Sequence, residues 1–257
     1  MEGFAEPVAG AERCLMVIPC YNEARRLNLD AFFEFIATKS QIDFLFVDDG
    51  SSDHTLGILE ELRVRQPRIQ ILALSPNGGK AEAVRRGMLS AIAQGKYSFT
   101  GFWDADLATP LSSITSLMQV LTENAKLQMV FGARVHLLGH HINRKPMRHY
   151  LGRCFATVAS IVLQLPVYDT QCGAKIFRVT PVLQQTLTEP FSSRWIFDVE
   201  IIARFLALQG KDPSYAYSAI YEFPLESWQD VAGSKVGPLD FFKAFYELLC
   251  IYNDYLR

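Results

Sequence analysis

Between residues 14 and 103 the chain swings repeatedly between short apolar runs and stretches with helical spacing, and that alternation leaves few architectures open. Residues 14–19, 44–47, 69–74 and 97–103 read as strands; residues 30–39, 55–65 and 80–94 read as helices. Strands separated by helix-length crossovers pair in parallel, so the prediction is an α/β fold with a mostly parallel central sheet and helices on both faces. Ligands of such folds meet the loops at the carboxyl ends of the strands. Polar clusters stand at those ends: Tyr21-Asn22-Glu23, Asp48 to Asp53, Asn77-Gly78-Gly79-Lys80, and Asp104 with Asp106. Asp, Asn, Gly and Ser are ordinary turn residues, and it is the convergence of four clusters on one edge that makes a candidate site.

The last cluster is the most specific. If strand geometry continues through Trp103-Asp104-Ala105-Asp106, the two acids share a face roughly 6–7 Å apart. Their repulsion, about 2–3 kcal/mol at an effective dielectric of ~20, is offset by a hard divalent cation taking oxygen ligands, which points to Mg2+ or Mn2+ and a phosphate-bearing ligand. The plain alternative is a cap for a helix starting near Leu111, with Thr109 and Pro110 beside it.

Composition narrows the classes. With 257 residues, 49% hydrophobic, the chain can bury a full core, and no linker divides it. One domain is expected over residues 14–235, with an N-terminal extension at 1–13 and a C-terminal amphipathic helix at 236–257. A net charge of -2 and a pI near 6.2 argue against nucleic acid as a partner. Five cysteines without a C-x-x-C pair suit a reducing compartment, and the acidic, glycine-containing first thirteen residues do not read as a signal peptide, so a cytoplasmic location is expected. No apolar run approaches the ~18 residues of a membrane span. Gly79-Lys80 is followed by Ala81 and preceded by Leu74 where a P-loop needs Ser or Thr and Gly, and no G-x-G-x-x-G occurs.

A second feature is basic. Residues 134–153 hold Arg134, Arg144, Lys145, Arg148 and Arg153 with no Asp or Glu, which reads either as a solvated face or as an anion site, with Arg134 and Arg148 the candidates for a phosphate. His140 and His141 are assigned no ligand role. Residues 155–167 form an apolar stretch suited to a buried helix. Near the C-terminus Phe241, Phe245, Leu248, Tyr252 and Tyr255 make one helical stripe, expected to pack on the domain or a partner in preference to a bilayer.

Val17-Ile18-Pro19-Cys20-Tyr21-Asn22-Glu23, Val47-Asp48-Asp49-Gly50-Ser51-Ser52-Asp53 and Asp104-Ala105-Asp106 resemble the successive signatures of the family-2 nucleotide-sugar glycosyltransferases with the GT-A fold. Asp169-Thr170-Gln171-Cys172-Gly173-Ala174-Lys175, the run from Arg194 to Glu200 and the run from Trp228 to Lys235 are similar to the polyprenyl-phosphate branch, particularly dolichyl-phosphate glucosyltransferases. The resemblance implies that Pro19, Tyr21, Glu23 and one of Asp48 or Asp49, preferably Asp49, hold the nucleoside, with Lys80 near the donor. It implies that Asp104 and Asp106 bind Mg2+ or Mn2+ under the diphosphate, and that Arg134, Arg148, Gln171 and Lys175 serve the acceptor. Ala108 stands where some mannosyl relatives carry a Gln ligand, and Asp106-Leu107-Ala108-Thr109 is closer to the glucosyl pattern.

The implied reaction is transfer of glucose from UDP-glucose to a polyprenyl phosphate, with inversion, at the cytoplasmic face of a membrane that the protein contacts peripherally. A lipid phosphate is already anionic and needs no base; a hydroxyl acceptor needs one, and Asp198 is the matching candidate. A soluble family-2 enzyme acting on a saccharide or small-molecule hydroxyl, or using GDP-mannose, is the alternative.

Overall fold

A computed structural model describes residues 12–144, 146–231 and 238–257, without the side chains of 146, 148 and 238–242. The chain runs β1 (Cys14–Cys20), α1 (Leu29–Thr38), β2 (Ile42–Asp49), α2 (Thr55–Arg65), β3 (Ile69–Leu74), α3 (Lys80–Ala93), β4 (Phe99–Trp103), α4 (Ser112–Glu123), β5 (Met129–Ala133), β6 (His141–Asn143) and α5 (Pro146–Leu163). It continues through β7 (Ala174–Arg178), α6 (Pro181–Thr188), α7 (Phe197–Leu208), α8 (Pro213–Ala219), β8 (Ile220–Pro224), β9 (Ser227–Gln229) and α9 (Pro238–Ile251), and closes with a π-helical turn, Tyr252–Leu256.

Seven strands form the main sheet in the order β3-β2-β1-β4-β7-β5-β8, and β6 pairs with β9 apart from it. The chain steps outward from β1 through β2 to β3, then returns to place β4 on the other side of β1. That reversal is a topological switch point, where neighbouring loops part and leave a crevice. β7 alone runs antiparallel to its neighbours β4 and β5. Its direction carries the loop that enters it, residues 169–173, to the carboxyl end of β4.

The predicted alternation holds closely, because strands buried on both faces must be apolar on both sides. Leu15, Val17, Leu45 and Val47 pack under α3 and α7; Met16, Ile18, Phe44 and Phe46 pack under α1, α2 and α4. Phe32 of α1 meets Phe44 and Phe46 edge-on, with ring centroids 5.2 and 5.0 Å apart. β2 extends beyond the apolar run at both ends and takes Asp43, Asp48 and Asp49 into the strand; Asp43 is accommodated by Tyr97 Oη at 2.7 Å and Arg13 at 2.6 Å. Gly101 has to lack a side chain, since a Cβ there would lie 2.0 Å from the Lys175 carbonyl oxygen across the β4–β7 ladder.

Two apolar segments behave differently from expectation. α5 starts well before residue 155 and buries Phe155, Ala159 and Leu163, while Tyr150 and Ile161 stay exposed. α9 buries Ala244, Leu248 and Ile251 and sets Phe245 on Phe155 with centroids 6.2 Å apart, but Tyr252 is exposed and Tyr255 turns inward. The wider π turn shifts the helical phase, which a stripe read at 3.6 residues per turn does not anticipate. Phe241 lies outside the described side chains.

Lys175 sits in β7 between Phe102 of β4 and Phe131 of β5, completely buried, with Nζ 5.2 and 5.4 Å from the two ring centroids. A strand this deep tolerates an ammonium only with a counter-charge. Asp198 in the first turn of α7 provides it at 2.5 Å, and the Cys172 carbonyl accepts a second hydrogen bond at 2.5 Å. Lys175→Met is therefore expected to cost about 3–5 kcal/mol by stranding a buried carboxylate. The double variant with Asp198→Asn should recover most of that loss in urea denaturation; equal loss in both would show that the pair contributes no coupling.

Candidate active site

The loops at the carboxyl edge are tied to one another in sequence. Asn22, at the end of β1, donates its backbone N–H to Ser51 Oγ at 3.0 Å, and its Oδ1 accepts from the Ser52 N–H at 2.9 Å. The Glu23 N–H reaches Thr55 Oγ1 at 2.8 Å. Asp49 then ties the second loop to the third, accepting from Asn77 Nδ2 at 2.9 Å, the Gly78 N–H at 2.8 Å and the Gly79 N–H at 2.7 Å. Gly79 makes this turn at φ +88°, a conformation that glycine adopts readily, and hands the chain to α3. Lys80, the first residue of that helix, forms an ion pair with Asp104. Asp104 in turn donates its N–H to the Gly173 carbonyl at 3.0 Å, joining the β4 loop to the segment entering β7.

Asp104 and Asp106 come together by a turn and not by strand alternation. β4 ends at Trp103, the Leu107 N–H closes on the Asp104 carbonyl at 3.2 Å, and Leu107 takes φ +54°. The Ala108 N–H caps Asp106 Oδ1 at 3.1 Å. The Asp106 carboxyl titrates above its ordinary range because burial and the neighbouring Asp104 charge both oppose its ionisation. Gly173 makes room for Asp104: a Cβ there would lie 2.0 Å from Asp104 Oδ2.

This donor set fits a hard dication. It offers carboxylate oxygens alone, it places an acid whose ionised form is only partly compensated, by the Ala108 N–H, Lys80 and Arg26, next to a second acid, and it has a backbone cradle that only glycine leaves open. Among the described residues no group of three or more His, Cys, Asp and Glu side chains gathers to hold a metal, so an ion here would complete its shell with ligand or water oxygens. Asp198 and Lys80 are close enough to join the field. Desolvation works against the Lys80 ammonium, but Asp104, Asp198 and Asp106 outweigh it and raise its pKa. Burial raises the Asp198 pKa against the pull of Lys175 and Lys80.

On the other side of the 169–173 loop lies an arginine platform. Arg134, just past β5, holds Asp169 in a fork, Nε at 2.6 Å and Nη2 at 2.7 Å, while its own N–H adds a bond at 3.1 Å. Burial opposes the Asp169 charge, yet Arg134 holds its carboxyl well below the usual carboxylate range. Glu222 of β8 fixes the same corner by accepting from the Tyr168 and Asp169 N–H groups at 2.7 and 2.8 Å. Arg153 of α5 donates to the Tyr168 carbonyl at 2.7 Å and lies 3.7 Å from the Tyr168 ring centroid. Arg144 packs over Gly152, and among the described residues it has no carboxylate within ion-pair distance. Burial and the nearby Arg134 charge both lower its pKa.

Of the residues chosen from sequence, Pro19, Tyr21, Glu23, Asp48, Asp49, Lys80, Asp104 and Asp106 all lie on the converging loops or the strand ends that feed them. Three expectations change. Asp49 is occupied by three donors of the β3–α3 loop, whereas Asp48 keeps Oδ1 buried without a hydrogen-bond partner. Lys175 does not face an acceptor, because it is enclosed beneath the acids. Arg134 is locked to Asp169, while among the described residues neither Arg144 nor Arg153 has a carboxylate within ion-pair distance. The Arg148 side chain and the end of the Trp228–Lys235 motif, residues 232–235, lie outside the described residues. Gln171 is on the loop, and its Nε2 is buried with no partner. His140 Nδ1 hydrogen-bonds the Leu225 carbonyl oxygen at 2.8 Å, and His141 is an exposed residue of β6. Gly173, Glu222 and Arg144 are the contributors that sequence reasoning did not select; the first two are a glycine within a motif and an acid inside a strand, each a visible irregularity.

The family model described as glycosyl transferase family 2 matches residues 16–184. The dolichyl-phosphate beta-glucosyltransferase of Saccharomyces cerevisiae is 32% identical over 262 residues, covering 94% of this chain and 74% of that protein. Its namesake from Dictyostelium discoideum is 32% identical over 243 residues, covering 87% and 68%. Among solved structures, glucosyl-3-phosphoglycerate synthase from Mycobacterium tuberculosis, in complex with Mn2+ and UDP-glucose, aligns with a TM-score of 0.66 at 16% identity, over 95% of this chain and 80% of that one. At that identity the likeness speaks for the fold alone. With a GT-A architecture, the matching family model and relatives this similar over most of their length, the chain belongs to glycosyl transferase family 2.

Proposed function

We propose that this protein transfers glucose from UDP-glucose to a dolichyl-type polyprenyl phosphate, with inversion, using Mg2+ or Mn2+ held by Asp104 and Asp106. The observation that carries the reading is the adjacency of two complementary half-sites: an acid pair with Lys80 at the switch point, and an arginine platform across the 169–173 loop. The relatives named for dolichyl phosphate and glucose support the choice of acceptor and sugar.

On the donor side, Pro19, Tyr21 and Glu23 border the nucleoside, and the vacant Asp48 Oδ1 accepts the imide N–H of the base more readily than Asp49 does. When bound, the ion neutralises the diphosphate as it departs. Lys80 adds a cation at the start of α3, where the helix terminus also favours negative charge.

On the acceptor side, Arg144 receives the lipid phosphate, and Gln171 Nε2 offers a further donor. Arg134 and Arg153 keep the platform in shape through Asp169 and Tyr168. A phosphate oxygen, already anionic, attacks the anomeric carbon from the face opposite the diphosphate; the new O–C bond forms as the bond to UDP breaks, turning an α-linked donor into a β-linked product. No proton has to be removed, so Asp198 serves to hold Lys175 and to shape the field around Lys80. No helix of the described residues is long and apolar enough to cross a membrane. Residues 124–168 contain no Asp or Glu, and Leu137, Leu138, Met147 and Tyr150 are exposed among their cations, which suits peripheral contact with the cytoplasmic face of a membrane bearing anionic lipid.

Label from UDP-glucose is expected in butanol-extractable lipid that mild acid releases; transfer only to water-soluble hydroxyl acceptors would overturn the lipid assignment and return Asp198 to the role of base. Asp106→Asn should lower turnover by roughly 100-fold or more. The same variant should melt no lower than the wild type, because it removes a charge that burial and Asp104 disfavour. Arg144→Gln should raise the KM for polyprenyl phosphate about tenfold or more, the worth of a charge-assisted hydrogen bond, with the KM for UDP-glucose unchanged.

A further inference from the structure

We propose that Lys80 is a resident cation on Asp104 that opposes binding of a lone divalent ion and yields to it when a diphosphate arrives, so that ion and nucleotide load cooperatively. The inference rests on the reading of the acid pair as an ion and sugar-nucleotide site, and it concerns the order in which that site fills.

Three features support it. The Lys80 ammonium is already on Asp104 Oδ1, and the whole Asp104 carboxylate lies against Gly173, Oδ2 more closely than Oδ1. An ion approaching Asp104 therefore meets the oxygen that carries a positive charge. The pair is also free to exchange: the Lys80 side chain is 43% exposed and that of Asp104 36%, unlike the enclosed Lys175–Asp198 pair below. Finally, the backbone beneath Lys80 stays fixed, since Asp49 clamps Asn77, Gly78 and Gly79. Only the flexible side chain has to move.

Charge balance indicates when it moves. Asp104, Asp106 and Asp198 face Lys80 and Lys175, with Arg26 acting on Asp106 and Arg134 on Asp104, so resident cations already offset most of the acids' charge and a lone dication is held weakly. A diphosphate offers Lys80 a partner of higher charge, draws it from Asp104 and exposes the oxygen to the ion. By linkage, whatever nucleotide does for the ion, the ion does equally for nucleotide.

Titration calorimetry with Mn2+ alone, with UDP alone, and with Mn2+ in saturating UDP separates the terms for wild type, Lys80→Met and Lys80→Arg. Lys80→Met is expected to bind Mn2+ alone at least threefold more tightly than wild type and to lose about tenfold of the gain in Mn2+ affinity that UDP confers. Lys80→Arg, which keeps the charge, should bind Mn2+ alone as weakly as wild type. Mn2+ affinity in Lys80→Met that is no higher than wild type, with binding in UDP retained, overturns the resident-cation role and leaves the donor site standing. Failure of the wild type to bind Mn2+ even with UDP overturns the donor-site reading and this inference together.

Discussion

The structure depends on keeping several carboxylates charged at the end of an apolar sheet. Asp104, Asp106 and Asp198 gather where β4 ends and β7 and α7 begin, above a layer that includes Phe102, Phe131 and Phe177. Such a group is tolerable only with cations placed against it. Lys175 enters from below through β7 and fixes Asp198; Lys80 enters from the side at the head of α3 and meets Asp104. The antiparallel direction of β7 makes the arrangement feasible. It brings both the buried lysine and the Gly173 cradle to the same corner, which a seventh parallel strand would not do.

The two lysines show how burial divides roles between like residues. Lys175 has no exposed surface and is surrounded by rings, so its charge is a structural constant. Lys80 sits in solvent reach with a side chain free to exchange partners. Asp106 illustrates the complementary condition: burial and the neighbouring Asp104 charge disfavour its ionised form. Stability given up at a site in this way is a familiar accompaniment of binding function.

The arginine platform is organised by one short corner, Tyr168-Asp169. Glu222 grips its backbone, Arg134 grips its carboxylate, and Arg153 covers its ring and carbonyl. Positive charge is thereby concentrated without collapsing onto acids, because Asp169 is matched by Arg134, Glu222 is engaged with the Tyr168 and Asp169 backbone, and residues 124–168 contain no Asp or Glu. Burial and the Arg134 charge press on Arg144 against the pull of Asp169 and Asp230, and among the described residues no carboxylate lies within ion-pair distance of it. The C-terminal segment takes part from a distance: Glu247 of α9 accepts from Ser193 Oγ at 2.7 Å, and Tyr255 reaches Glu200, which also receives the Ser192 and Ser193 N–H groups. The loop leading to α7 and Asp198 is held from both ends.

Much of this is written locally. Strand–helix alternation determined the sheet, since apolar runs of that length between helical stretches have few ways to be buried, and turn residues at the strand ends determined which edge carries polar groups. The acid pair, Lys80 and the basic stretch could be named without coordinates for the same reason. What only tertiary structure decided is which charges meet. Lys175 and Asp198 are far apart in the chain and become partners because β7 reverses and α7 covers it; Arg134 is engaged by Asp169, and Asp48 Oδ1 is buried without a hydrogen-bond partner while Asp49 is taken by the next loop. Hydrogen bonds and ion pairs are settled by distances of a few ångströms between segments, and a linear pattern carries periodicity and residue type but not those distances.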